Sequence, residues 1–512
     1  MDQDRIRRGD GMSADDFADF EQGYRGAKFG QSNGDFSNDD FTAEDFAPPA
    51  PEAPEANDSF PPPFPLDGVD LLSPPGFAGD IAAWIDSQCR FPRRRLAVAS
   101  ALVTLGNIGG LRHEDVRDGV TANMLAFCVA ASATGKEAVM QATTDLHIAA
   151  GIHYALQGGI KSEQEIMRNL IEHQAAYYII DEIGIFLIKV RNAQRRGGAA
   201  YLESVFGAIM SGYSKANSRM LLQGDTKREL RKAFGAIAAK AEDDGREEQA
   251  ERARRMLRMV DEGLERPFLS TIGYTTPGTF DQIMDGETAT QGFVGRAVIV
   301  AETDNNPAER EGFKKRPMPE GLAMKLAQIF NGGNFDMMES TGARVEYSGD
   351  REPVITTDEA SDMLQSVSRW LHSYAEEMGE HTGEASVAMI RRAYELVAKI
   401  SFILAIPTAT RTATHVRWAF AYVRAELDAK IKLVFANDNS KERPEESMAA
   451  RVVNYIDPEK GATTSVLANR MRTKAEILTP ILRKMESAGM IRSEEGKRAR
   501  KGVKPTIWHL SG

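Results

Sequence analysis

The chain has 512 residues, 42% of them hydrophobic, and a formal net charge of −11. That length leaves room for roughly two to four domains and a sizeable core. Cys89 and Cys128, its two cysteines, give no disulfide framework and suit a reducing compartment, and the eight scattered histidines show no metal-ligand spacing. No apolar run approaches the ~18 residues of a membrane span, and the amino terminus has no apolar targeting core, so the expectation is a cytoplasmic protein without a membrane segment.

The charge is unevenly spread. Residues 1–60 hold 15 acidic and 5 basic side chains, whereas residues 447–512 hold 13 basic and 6 acidic. Two such ends ask for different partners. Residues 1–66 are rich in Asp, Gly, Ser, Phe and Pro and end in APPAPEAPEANDSFPPPFP, which predicts a disordered acidic tail. Phe recurs among acids there (DDFADF, GDFSNDDF, AEDF). Both a solvating tail and a docking peptide, its Phe anchors steered by the acids, fit that pattern.

A helical lead-in is expected over 67–120, with Phe77, Ile81, Trp84 and Ile85 on one face and RRRLAVASALVTLGNIGG as a buried helix. NMLAFCVA (Asn123 to Ala130) fits a buried strand, and Cys128 within it a buried thiol. The next stretch, ASATGKE, has the order of a phosphate-binding loop: Ala131, Ser132, Ala133, Thr134, Gly135, Lys136, then Glu137 and a helix. Ala130 stands where Gly is usual, a cheap change if φ stays negative. Glu137 stands where Ser or Thr is usual, which removes a magnesium-touching hydroxyl.

A second strand, AAYYII, leads into Asp181 and Glu182 and is expected beside the first. Asp181 would hold Mg2+ through water and Glu182 would polarise the attacking water. A third strand, RPFLSTIGYTTP, ends in Thr275 and Thr276, suited to a phosphate sensor or to turn chemistry. GFVGRAVIVAE carries Arg296 before a fourth strand, either as a guanidinium that reaches a phosphate, in this subunit or across an interface, or as a surface cation.

Between the second and third strands, Tyr213, Ser214, Lys215, Asn217 and Arg219 form a candidate DNA-contacting loop in which Tyr213 would stack a base. A charged helical insertion over 224–266 follows, read as a solvated hairpin or a lid. Residues 347–440 are expected as a helical subdomain, with Arg391 and Arg392 facing the core. Residues 445–512 are expected as a winged helix: helices carrying Lys474 and Arg483, then two strands around a basic wing with Lys497, Arg498, Arg500, Lys501 and Lys504.

In this order LAFCVAASATGKE, YYIIDE, PFLSTIGYTTP, GFVGRA and MIRRAYELVAKISFILA resemble the RecA-like P-loop ATPases of phages, prophages and plasmids known as primase-helicase or replicative-helicase-like. The resemblance covers about residues 70–435. It implies an α/β fold with a RecA-like P-loop core over 121–346, and a homohexameric motor on single-stranded DNA using ATP and Mg2+ in a bacterial host. It implies that Lys136 binds the β and γ phosphates and that Ala131 to Lys136 cradle them. Asp181 would serve magnesium, Glu182 would be the base, Thr275 the sensor and Arg296 the finger. The group tolerates an acidic residue after the Lys. The winged helix, which would bind duplex DNA, and the acidic tail lie outside the resemblance. A primase carboxylate cluster is not found. Two other readings stay open: an initiator or loader using ATP as a switch without unwinding, and a non-enzymatic DNA-binding scaffold with a degenerate loop.

Overall fold

The computed structural model describes residues 60–196, 200–280, 282–283, 293–304, 307–331, 351–382, 384–442, 452, 456, 461–470, 474–487, 490–495 and 506–510. The acidic stretch 1–59 and the wing residues Lys497, Arg498, Arg500, Lys501 and Lys504 lie outside the described residues. Among those described, no helix is long and apolar enough to cross a membrane.

The architecture is mixed α/β. Helices α1 (Phe77–Ser87) and α2 (Arg94–Gly109) lead in. Then come β1 (His113–Asp115), β2 (Leu125–Val129), α3 (Lys136–Ala149), β3 (Leu156–Gln157), α4 (Glu163–His173) and β4 (Ala175–Ile180). Next are α5 (Ile183–Arg196), α6 (Ala200–Ser214), β5 (Arg219–Met220), the hairpin helices α7 (Gly224–Asp243) and α8 (Glu247–Glu262), β6 (Leu264–Glu265) and β7 (Phe268–Thr275). The chain continues through α9 (Pro277–Phe280), α10 (Phe293–Arg296), β8 (Val298–Ala301), α11 (Glu320–Asn331) and β9 (Glu352–Thr356). Three long helices close this region: α12 (Asp358–Thr382), α13 (Glu384–Ala405) and, after β10 (Thr410–Arg411), α14 (Ala413–Glu442).

The central sheet runs β3-β4-β7-β2-β8, with every pairing parallel. β2, β4 and β7 are buried along their whole lengths, as strands covered on both faces must be. The carboxylate-bearing β4 is not the neighbour of β2 that its sequence suggests. β7 lies between them, pairing Val129 with Thr275 on one side and Ile180 with Gly273 on the other. A fully buried eight-residue strand finds partners for both edges only in a central position. The carboxyl ends of β2, β7 and β8 finish level, and β4 ends two residues short of them.

α2 is apolar all round and buried from Leu96 to Gly109, because it packs on β2, β7 and β8 and also on α13. α14 shields the outer strand: Glu426 Oε1 accepts from Ile299 N at 2.8 Å, while Lys430 Nζ donates to Ala297 O at 3.1 Å and pairs with Glu426 at 2.9 Å. A small sheet, β1-β9-β10, is tied by the fully buried Arg411, 2.7 Å from Asp115 and 3.0 Å from Asp118.

The tail boundary at residue 66 needs correcting. Residues 60–70 pack on the bundle: Phe60 lies 5.3 Å from the Trp370 ring and Phe64 5.3 Å from Phe420. Trp370 Nε1 donates to Pro61 O and Trp418 Nε1 to Asp70 O. Proline density forbids a regular element here, but it does not stop two aromatic anchors from docking.

The carboxyl-terminal module has β11 (Ala462–Thr463), α15 (Thr464–Arg470), α16 (Ala475–Ser487), β12 (Ile491–Glu495) and β13 (Thr506–Leu510). Its sheet is antiparallel in the order β11-β13-β12, over a separate core that includes Leu467, Leu478, Leu482, Ile491 and Trp508.

Candidate functional site

β2 ends at Val129 and α3 begins at Lys136. The turn between them is made by two left-handed residues, Ala133 at φ 61° and Gly135 at φ 97°. Gly135 needs its missing Cβ for that conformation; Ala133 adopts it at a cost of ~1 kcal/mol or more. Ala130, where the sequence drew attention, keeps a non-positive φ and donates its N–H to Thr275 O at 3.1 Å. Thr134 Oγ1 closes the turn on Ala131 O at 2.7 Å.

The N–H groups of Ala131, Ser132, Ala133, Thr134, Gly135, Lys136 and Glu137 donate to no acceptor among the described residues. Such donors at a helix start form an anion cradle. Glu137 is exposed in the first turn of α3, where its charge suits the helix dipole.

Across the cradle stands the end of β4. Lys136, with 12% of its side chain exposed, pairs with Glu182 and lies 3.7 Å from Asp181. Asp181 Oδ1 accepts from Glu182 N at 2.9 Å, and Glu182 takes φ 50°, a left-handed turn that brings its carboxylate to the lysine. Thr275 ends the intervening β7, and its buried Oγ1 has no partner among the described residues. Gly184, at the start of α5, lets that helix approach Thr275 and Thr279: an added Cβ would meet both side chains. The loop, Lys136, Asp181, Glu182 and Thr275 are therefore brought to one edge of the sheet, at the carboxyl ends of the strands where ligands of such folds sit.

These residues fit a magnesium nucleotide. The free N–H groups and Lys136 suit phosphate oxygens, and the orphaned Thr275 hydroxyl has a donor to offer. No cluster of three or more metal-ligating side chains exists among the described residues, so a metal here would rely on phosphate and on the single carboxylate of Asp181. Burial drives the Cys128 thiol in β2 upward, so it stays protonated behind the loop.

Two expectations are corrected. Arg296 ends α10, before β8, and Val298 pairs with Ala126 while Ala301 pairs with Val129. It thus lies at the amino edge of the sheet, roughly 16 Å of strand from the loop's level at ~3.3 Å per residue, beyond reach of its own cradle. Its field acts instead on Arg392, Lys399 and Tyr213. Tyr213 is 2% exposed and lies under Lys399 Nζ at 4.3 Å, so it stacks no base. It continues the buried stripe of α6 through Val205 and Ile209.

Lys215 is exposed at the same amino edge, and Arg219 is exposed and paired with Glu265. Asn217, between them, donates to Gly119 O at 2.5 Å. In the carboxyl-terminal module Lys474 and Arg483 are exposed.

Sequence reasoning missed Arg93. It is fully buried, donates through Nε to Thr134 O at 2.5 Å and through Nη1 to Asp304 O at 2.8 Å, and so ties the loop to the segment after β8. Its place in RRRLAVAS gives no signal that the first of three arginines turns inward.

No family model and no curated protein matches the chain. Among solved structures, that of the Aeropyrum pernix Orc1 protein in complex with DNA is similar at 12% identity over 76% of this chain and 84% of that one, with a TM-score of 0.17, too low for the two folds to superpose as wholes.

Proposed function

We propose that the chain is a P-loop ATPase acting on DNA, with a RecA-like core and a winged-helix module, that serves as a replication motor of a phage or mobile element. One observation carries the ATPase reading: a cradle of free N–H groups ending in Lys136 faces Asp181 and Glu182 across the strand that ends in Thr275. ATP would supply the terminal phosphoryl group for transfer to water. The N–H groups of Ala131 to Glu137 and Lys136 would hold its β and γ phosphates, and Asp181 would hold Mg2+ through water. Glu182 would orient the attacking water and take its proton, and Thr275 would sense the terminal phosphate.

Arg296 would act only on a neighbouring subunit, in the homohexamer this reading implies. Lys215 and Arg219, and Lys474 and Arg483 with the wing residues Lys497, Arg498, Arg500 and Lys501, are the proposed DNA contacts. The acidic tail is the proposed dock for a replication protein.

An ATP-switch initiator is the second reading. It is supported by Glu137 in place of a hydroxyl and by a carboxyl-terminal module with its own core. ATP hydrolysis by wild type and Lys136→Ala, with and without single-stranded DNA, separates the two. DNA-stimulated turnover abolished by the substitution supports a motor. ATP binding with slow, unstimulated turnover supports the switch. No ATP binding by wild type in the presence of Mg2+ refutes both.

A further inference from the structure

At the amino edge of the sheet, a full strand length from the loop, a cavity of about 440 Å3 opens between the carboxyl end of α4, helix α8 and the β5-β6 ribbon. It lies beneath the starts of β3, β4 and β7, bordered by Tyr154, Gln174 and Pro267. That volume falls within the ~300–1,000 Å3 of small-ligand pockets.

One stripe of α8 supplies both the charge and the apolar surface of the cavity. Arg252, Arg255 and Arg258 recur at a spacing of three, and Met256 and Met259 sit among them. Arg258 is exposed and has no ion pair among the described residues, and Met259 remains 38% exposed on a charged helix. Arg219 comes in from the ribbon because β5 pairs antiparallel with β6, setting it opposite Glu265. Glu172, Glu262 and Glu265 also line the cavity, so its positive charge is confined to the α8 stripe rather than spread as a uniform field. Arg252 is anchored, donating to Glu172 O at 3.2 Å, and Arg219 to Glu262 O at 3.2 Å.

Guanidinium groups beside an apolar floor with an aromatic wall match a nucleotide unit: arginine holds phosphate and stacks on a base, while the floor covers the base's face. The exposed Lys215 lies on the same edge of the sheet. We propose that this cavity seats one nucleotide of a bound single strand of nucleic acid, with Arg255 and Arg258 on its backbone and the base over Met256 and Met259. The proposal rests on the DNA-acting reading above and gives it a location away from the ATP site.

The test is binding of a fluorescein-labelled oligo-dT to the full chain across a salt series. Compared are wild type, Arg255→Gln/Arg258→Gln, Met259→Glu, and Lys240→Gln, an exposed hairpin cation outside the cavity. Losing two backbone contacts should lower the slope of log affinity against log salt by about 1.4, at ~0.7 per phosphate, and weaken binding about tenfold. Met259→Glu, on an exposed position that tolerates a polar side chain, should weaken it similarly by placing a carboxylate at the mouth. Lys240→Gln should change neither.

Unchanged slope and affinity in both cavity variants overturn the proposal, as does an equal loss in Lys240→Gln. Binding of free dTMP that these variants abolish, with oligo-dT affinity intact, overturns it in favour of a mononucleotide site. ATP hydrolysis without DNA, measured on the same preparations, should match wild type. Its absence in wild type both with and without DNA would sink the motor reading, while the oligonucleotide result would still decide the cavity.

Discussion

Glu182→Gln should make the protein bind ATP more tightly while abolishing hydrolysis. In the free protein Lys136 is held by Glu182 and stands 3.7 Å from Asp181, so any phosphate must compete with carboxylates for the same ammonium group. At an effective dielectric of ~20, one such charge pair is worth about 4–5 kcal/mol before solvation. Glu182 is 38% exposed and Asp181 52%, so most of this is returned by water, leaving about 1 kcal/mol net. That corresponds to a roughly fivefold preference for the paired state, which a ligand must displace. Removing the Glu182 charge should then lower the apparent Kd for ATP about sixfold. Loss of the proposed base should cut turnover by about a hundredfold or more. Calorimetric titration with ATP and Mg2+, with turnover measured in parallel, reads both quantities, and the affinity gain should shrink in high salt. Tighter binding with wild-type turnover would remove Glu182 as the base. Lost turnover with unchanged affinity would show that the ion pair holds Lys136 with no net energy.

The buried ion network should be costly to break: Arg411→Ala leaves Asp115 without its partner and should lose about 3–5 kcal/mol in urea unfolding, and a loss under 1 kcal/mol would refute that account. His147 is pushed down to about 4 by burial, although its bond to Thr143 O opposes the shift. The unfolded chain therefore takes up a proton that the folded chain refuses between pH 6.5 and about 4, and stability should fall as pH drops through that window. His147→Gln should flatten that part of the stability profile; an unchanged profile would assign it to other groups. Deleting residues 1–59 should leave the melting temperature near wild type. Extending the deletion through residue 66 removes Phe60 and Phe64 and should cost roughly 2–5 kcal/mol, so equal melting curves for the two truncations would contradict the docked aromatic pair.

What could be read from the sequence was what neighbouring residues decide. LAFCV and AAYYII are apolar runs too short for helices, FLSTIGYT is a short run rich in aromatic and β-branched residues, and each forms a buried strand. The chemistry-bearing residues follow those strands, so Lys136, Asp181, Glu182 and Thr275 fall at one sheet edge because all the strands are parallel. The same logic, carried further, places Arg296 at the opposite edge, since it precedes its strand. Tyr213 was also legible: Val205, Ile209 and Tyr213 are four apart on one helix. Strand order was not legible, because the insertion of β7 between β2 and β4 depends on pairings across more than ninety residues of chain. The inward turn of Arg93 was not legible either, because nothing local separates it from Arg94 and Arg95.

The shielding of β8 by Glu426 and Lys430 bears on how copies of this chain can associate. An outer strand normally presents a row of unpaired amides that a foreign strand can join. Here the Ile299 amide is already taken by Glu426, and the opposite margin, β3, is only two residues long. Among the described residues, neither margin of the central sheet offers a ready template for strand addition, so copies that associate through this core would meet through its helices and loops. Glu426→Ala, by uncovering that amide, would open a route to edge-to-edge aggregation that the native chain keeps closed.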